Sequence, residues 1–145
     1  MFSKLSKTIA IIAFMAVLTA FVSCNKDKDQ NPIVGKWEMT HSVEWEVSNG
    51  QKMPETKDTF HPDGVYIIEF NTSGSASSYA DGDLQGTGSY KVSENGKTIT
   101  FVFEGETSTR DILTLTSTDL VLDHAITQDD HGEYYWYEDH FKRID

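Results

Sequence analysis

The chain has little with which to cross-link itself, cross a membrane or grip a polyanion. One cysteine, Cys24, stands among 145 residues. The folded part therefore has no disulfide, and no Cys-x-x-Cys pair is available for redox or zinc chemistry. Prolines number three, and the interiors of the apolar stretches hold none. Basic residues are scarce: 12 Lys and Arg against 23 Asp and Glu, for a formal charge of -11. Such a field repels phosphate backbones and anionic membrane surfaces, so no nucleic-acid partner is expected. The one strong apolar run, Ile9 to Val22, is about 14 residues where a spanning helix needs about 20.

That run follows Lys4 and Lys7 and ends at Ser23-Cys24, the layout of a signal peptide. It resembles a bacterial lipoprotein signal, in which the cysteine is acylated with chains such as palmitate and becomes the first mature residue. Phe21 departs from that pattern, because an aliphatic residue is usual three positions before the cysteine. Cleavage after Ala20 would instead release a soluble secreted protein. Acyl chains contribute about 0.8 kcal/mol per buried methylene, so several of them anchor a protein effectively permanently. Residues 25–30 are all polar and read as a solvated tether. Their acidic and lysine-rich character is similar to the surface-export tags of some Gram-negative lipoproteins, and no Asp follows the cysteine to signal inner-membrane retention. The resemblance implies an outer-membrane protein on the periplasmic or cell-surface side. The expected organisation is a signal peptide at 1–23, a tether at 24–31 and one domain at 32–145. Losing Lys4 and Lys7 takes the charge from -11 to -13.

The domain is organised around the stretch from Asn31 to Val47. From Trp37 onward the odd positions read Trp, Met, His, Val, Trp, Val and the even positions are polar. Period-two alternation over a dozen residues predicts a long strand with one dry face, formed by Trp37, Met39, His41, Val43, Trp45 and Val47. A long polar connection, about 48–63, carries Asn49-Gly50, Pro54 and His61-Pro62-Asp63-Gly64. Further strands are expected over 65–70, 75–80, 84–92, 97–103, up to 116, 120–126 and 133–144, separated by Gly-, Asn-, Asp- and Ser-rich turns. Glycines 86 and 88 within a strand mark a bulge, a bend or a close backbone approach. Eight strands joined by short turns must pair antiparallel. An up-and-down barrel is the expected all-β fold, because closure removes the unprotected edges.

Gly35-Lys36-Trp37 with Phe141-Lys142-Arg143 resembles the opening and closing motifs of the lipocalin-like barrels. Gly88-Ser89-Tyr90 and the run from Leu115 to Leu122 are similar to small lipocalin-like lipoproteins of Gram-negative bacteria. The resemblance implies that Arg143 lies over Trp37, with Gly35 and Phe141 helping to close the barrel. It also implies that a small, partly apolar ligand is bound or carried inside.

Strand direction puts the long connection and the turns near 81–83, 104–106 and 128–132 at the end opposite Trp37, which is expected to be the loosely covered mouth. His41, Val43, Trp45, Tyr66, Phe103, His124, Tyr135 and Tyr137 are the candidate ligand-binding residues, provided Phe141 and Arg143 face inward. Tyr134 and Trp136 offer a rival apolar face, which a one-residue slip would select. Asp81, Asp83, Glu104, Glu106, Asp129, Asp130 and Glu133 make the mouth acidic, which favours neutral or cationic ligands over fatty acids and phosphorylated ones. A filled barrel docking another envelope protein, or inhibiting a hydrolase, is the other reading.

No His-Glu-x-x-His or Gly-x-Ser-x-Gly occurs, and no catalytic residue, cofactor or enzyme activity is expected. The run Asp81-Gly82-Asp83 begins like a calcium loop, yet Val92 stands where a bidentate Glu is required. His41 and His124 are too few for a metal site by themselves. The chain is expected to be a monomer.

Overall fold

The computed structural model describes residues 31–128 and 132–145, and for 124–127 the backbone course alone. Cys24, the signal and most of the tether, with Asp129, Asp130 and His131, lie outside the described residues. Among the described residues no helix is long and apolar enough to cross a membrane.

Among the described residues ten strands form the fold: β1 (Gly35–Ser48), β2 (Gln51–Lys52), β3 (Asp58–Phe60), β4 (Tyr66–Phe70), β5 (Ser75–Ala80), β6 (Asp83–Val92), β7 (Thr98–Phe103), β8 (Glu106–Leu115), β9 (Asp119–Gln128) and β10 (Tyr134–Arg143). Each of β4 to β10 pairs antiparallel with the next, β1 pairs with β4, and β10 pairs back onto β1. That is a closed eight-stranded antiparallel barrel of β1 and β4–β10.

The connection after β1 is not the irregular loop expected from its composition. Asn49 and Gly50 both take positive φ, at 52° and 75°, and turn the chain straight back. β2 and β3 then pair with β1, so with β4 they form one returning strand beside it. The strand is interrupted by a single 3-10 turn at Pro54–Thr56 and by residues 61–65. Proline cannot donate to the ladder, which explains both breaks.

The closed end is built on Trp37, which is fully buried among Ile33, Phe70, Leu120 and Phe141. Its indole Nε1 donates to the Ile33 carbonyl at 2.8 Å, so its polar edge is satisfied. The Arg143 guanidinium lies 4.3 Å from the Trp37 ring. It donates to the carbonyls of Val34 (2.7 Å), Pro32 (2.6 Å) and Ser117 (2.9 Å), binding three segments into one lid. Gly35 is required here. Its φ is +135°, and a Cβ would sit 2.1 Å from Arg143 Nη1. Gly88 has a different reason: a Cβ there would meet the Val102 carbonyl oxygen at 2.3 Å and the Phe103 ring at 2.9 Å. Phe103 lies over the glycine face of β6.

Candidate functional site

The pairing of β1 with β10 changes register between Met39 and His41. Trp37 faces Arg143 and Met39 faces Phe141; past the shift, Ser42 faces Asp139 and Glu44 faces Tyr137. Thr40 is an extra residue on β1, a β-bulge, and it turns every later side chain over. Residues opposite one another in a ladder share a face. Ser42, Glu44 and Glu46 therefore share the inner face with Tyr135, Tyr137, Asp139 and Phe141. His41, Val43 and Trp45 share the outer face with His140, Glu138 and Trp136.

The bulge corrects the expected placement of three candidate residues. His41, Val43 and Trp45 do not line the interior; they build a small cluster on the outer wall. Lys52 Nζ lies 4.1 Å from the Trp45 ring and 4.7 Å from the Trp136 ring, and pairs with Glu138 at 2.5 Å. Val43 is 5% exposed yet does not belong to the central core, which fits a second, external packing centre. Below it the His41 and His140 rings stack at 4.3 Å, with His61 at 5.9 Å from His41. Burial lowers the His41 pKa from its usual 6.5, and His140, His61 and Lys57 push it the same way. Among the described residues no group of three or more His, Cys, Asp or Glu is placed to hold a metal.

The other candidates are dispersed. Tyr66 shares the inner face with Ile68 and Phe70 but is 46% exposed at the rim. Tyr135 and Tyr137 stand 6.4 Å apart on the inner face of β10, and Tyr134 and Trp136 face out. The His124 side chain lies outside the described residues. Phe103 stands on the wall of a cavity.

That cavity lies midway up the barrel and has a volume of about 230 Å³. Its apolar wall is Ile68, Phe101, Phe103, Leu122 and Phe141, and its polar groups are Ser78, Ser108 and Arg110. Through Ser78, Phe103 and Ser108 it adjoins a wider recess of about 490 Å³, walled also by Glu104 and Glu106. β6 pairs with β7 only over Ser89–Val92, so its upper half rises beyond the β7–β8 turn and leaves the rim low there.

Arg110 is the residue that sequence reasoning missed. It lies opposite Ile99, which is fully buried, so the ladder turns it inward. Reaching past β9, its Nη1 donates to Asp139 Oδ2 at 2.9 Å, and Ser42 Oγ donates to Asp139 Oδ1 at 2.5 Å. Burial pulls the guanidinium pKa below its usual value, while Asp139, by charge and hydrogen bond, and Asp123, by charge, oppose the shift. The group stays charged, since an arginine does not deprotonate in proteins. Among the described residues Asp123 and Asp139 are the buried carboxylates, at 5% and 7% exposure. The barrel thus has an oily lower half, a small void above it and an ion pair in the wall of the void.

The lipocalin-like domain family matches residues 33–122. No curated protein sequence matches the chain. Similar solved structures include bovine odorant binding protein with a selenium-containing odorant, at 20% identity and TM-score 0.44, over 85% of this chain and 78% of that one. The same bovine protein with undecanal aligns at 20% identity and TM-score 0.43, over 83% and 78%. Its deswapped triple mutant aligns at 20% and 0.43, over 79% and 75%. With a match across most of the barrel, and with Gly35, Trp37 and Arg143 assembled as described, this chain belongs to the lipocalin-like domain family.

Proposed function

We propose that this chain is a lipid-anchored envelope protein whose barrel binds or carries a small, partly apolar ligand. The observation that supports it is the void of about 230 Å³ in a barrel whose lower half is packed solid. Ligand sites are concave, mostly apolar and carry a few placed polar groups, and this one sits just below the usual size range of about 300–1,000 Å³. The acids Asp81, Asp83, Glu104 and Glu106 border the mouth and disfavour anions. The anchor is Cys24, held in the outer membrane through acyl chains.

Native mass spectrometry of protein purified from its own host tests the container, because a retained ligand is weighed directly. Leu122→Trp, which fills the void, is expected to abolish binding of a displaceable fluorescent probe; unchanged binding overturns the reading. Metabolic labelling with an alkyne fatty acid tests the anchor: incorporation that survives Cys24→Ala overturns it.

A second reading, docking of another envelope protein, draws on exposed apolar side chains around the mouth. Phe60, Val65, Tyr66, Leu84 and Tyr134 are 45–59% exposed. Pull-down of one defined partner that is lost on mutating these residues, with an empty cavity, would favour it.

A further inference from the structure

We propose that the ion pair of Arg110 and Asp139 makes the cavity select a neutral ligand with an acceptor oxygen, such as a ketone or ester, over the matching acid, amine or hydrocarbon. The inference rests on the container reading above and names its ligand class.

The geometry carries it in three steps. First, Arg110 lines the cavity, so its guanidinium meets the ligand space directly. Its side chain is only 25% exposed, and one N–H, on Nη1, is engaged by Asp139. A guanidinium has five N–H donors, so donors remain to be satisfied in a mostly apolar space. These donors are not sealed from solvent, and a ligand oxygen placed beside them accepts a charge-assisted hydrogen bond in place of water.

Second, the cation is already neutralised. Asp139 holds it at 2.9 Å, and Asp123 adds a second buried negative charge near it. A carboxylate ligand would bring a second negative charge beside Asp139 into a space holding one positive, besides Glu104 and Glu106 above. In low dielectric that repulsion exceeds the gain from one more hydrogen bond. Third, an ammonium would stand beside the Arg110 guanidinium, a group of like charge that has donors and no acceptor, so it makes no hydrogen bond there. A ketone or ester oxygen satisfies the spare donors and adds no charge, and its alkyl part packs on Phe101, Phe103 and Phe141.

Affinities of methyl pentyl ketone, heptanoate, heptylamine and heptane are to be compared by displacement of a fluorescent probe at low salt. The expected order puts the ketone about tenfold or more ahead of the other three, the value of one hydrogen bond to a charged group. In Arg110→Met/Asp139→Leu, which removes both charges together and leaves neither partner unpaired, the ketone is expected to fall to the level of heptane, with heptane unchanged or improved. Asp139→Asn, which keeps the cation and removes its counter-charge, is expected to move the preference towards heptanoate. Equal binding of ketone and heptane in the native chain, tighter binding of heptanoate than of ketone, or no movement in either variant overturns the selection while leaving the container intact. Failure of all four to displace the probe overturns the container and this inference with it.

Discussion

Below Thr40 and above it, β1 carries the same alternation of apolar and polar residues and does opposite things with it. In the lower half Trp37 and Met39 point into the barrel and close its floor. In the upper half Val43 and Trp45 point away from the axis, and Ser42 and Glu44 take their place inside. One inserted residue separates the two regimes. The lower half is thus a hydrophobic core of the usual kind, whereas the upper half is turned inside out, with its oil on the outer wall and its charges in the lumen. The lesson is that period-two alternation reports two faces but does not say which face is the inner one.

The strongest test of this contrast is to remove the bulge. Deleting Thr40 would leave Met39 opposite Phe141, His41 opposite His140 and Ser42 opposite Asp139 in one regular ladder, so Val43 and Trp45 keep the outer face. Cooperative unfolding and a dispersed amide spectrum are expected to survive the deletion; their loss would show that Thr40 is not the extra residue. The largest loss of stability is expected of Trp37→Ala. Truncating a fully buried tryptophan is expected to cost about 3–5 kcal/mol, read from urea melts. A midpoint close to the parent would remove Trp37 from its role as the floor.

A smaller effect is expected on the outer wall. Val43→Ala should cost about 1–2 kcal/mol, the lower range for shortening a buried aliphatic, and leave probe affinity unchanged, since it faces away from the cavity. A change in affinity without a change in stability would put Val43 back inside. The least effect is pH-dependent. His41 has a folded pKa below its ordinary 6.5, so the unfolded chain binds the proton more readily and acid favours unfolding. The stabilising contribution is present above pH 6.5 and is lost as pH falls through the lowered value. In His41→Gln the dependence on pH over that window should flatten; an unchanged slope would assign it to other groups.

Much of the frame could be read from the chain itself. Seven turns with Gly, Asn, Asp or Ser and the alternation of strands led to an eight-stranded barrel, and Gly35, Trp37 and Arg143 meet because the first and last strands pair. The bulge could not be read, because a threonine in a strand leaves no mark in composition. The turn at Asn49-Gly50 was legible in principle, being the strongest short hairpin signal, but the proline that follows and the polar run around it suggested a loop. Arg110 and Asp139 were hidden for a different reason. Each sits in a polar stretch, Thr107 to Asp111 and Glu138 to His140, where a charge reads as solvated surface. Only closure of the sheet brings them within one hydrogen bond of each other.

The turns Asp81-Gly82 and Glu104-Gly105 are two residues each, with positive φ at both positions, and neither is long enough to fold over the opening. Along that side of the rim nothing is built to swing shut, and guests that pass there come and go at a pace set by how firmly the walls hold them. Stopped-flow release should then be a single fast exponential, and the cargo on board at any moment would track its concentration outside, as in a buffer rather than a sealed shipment.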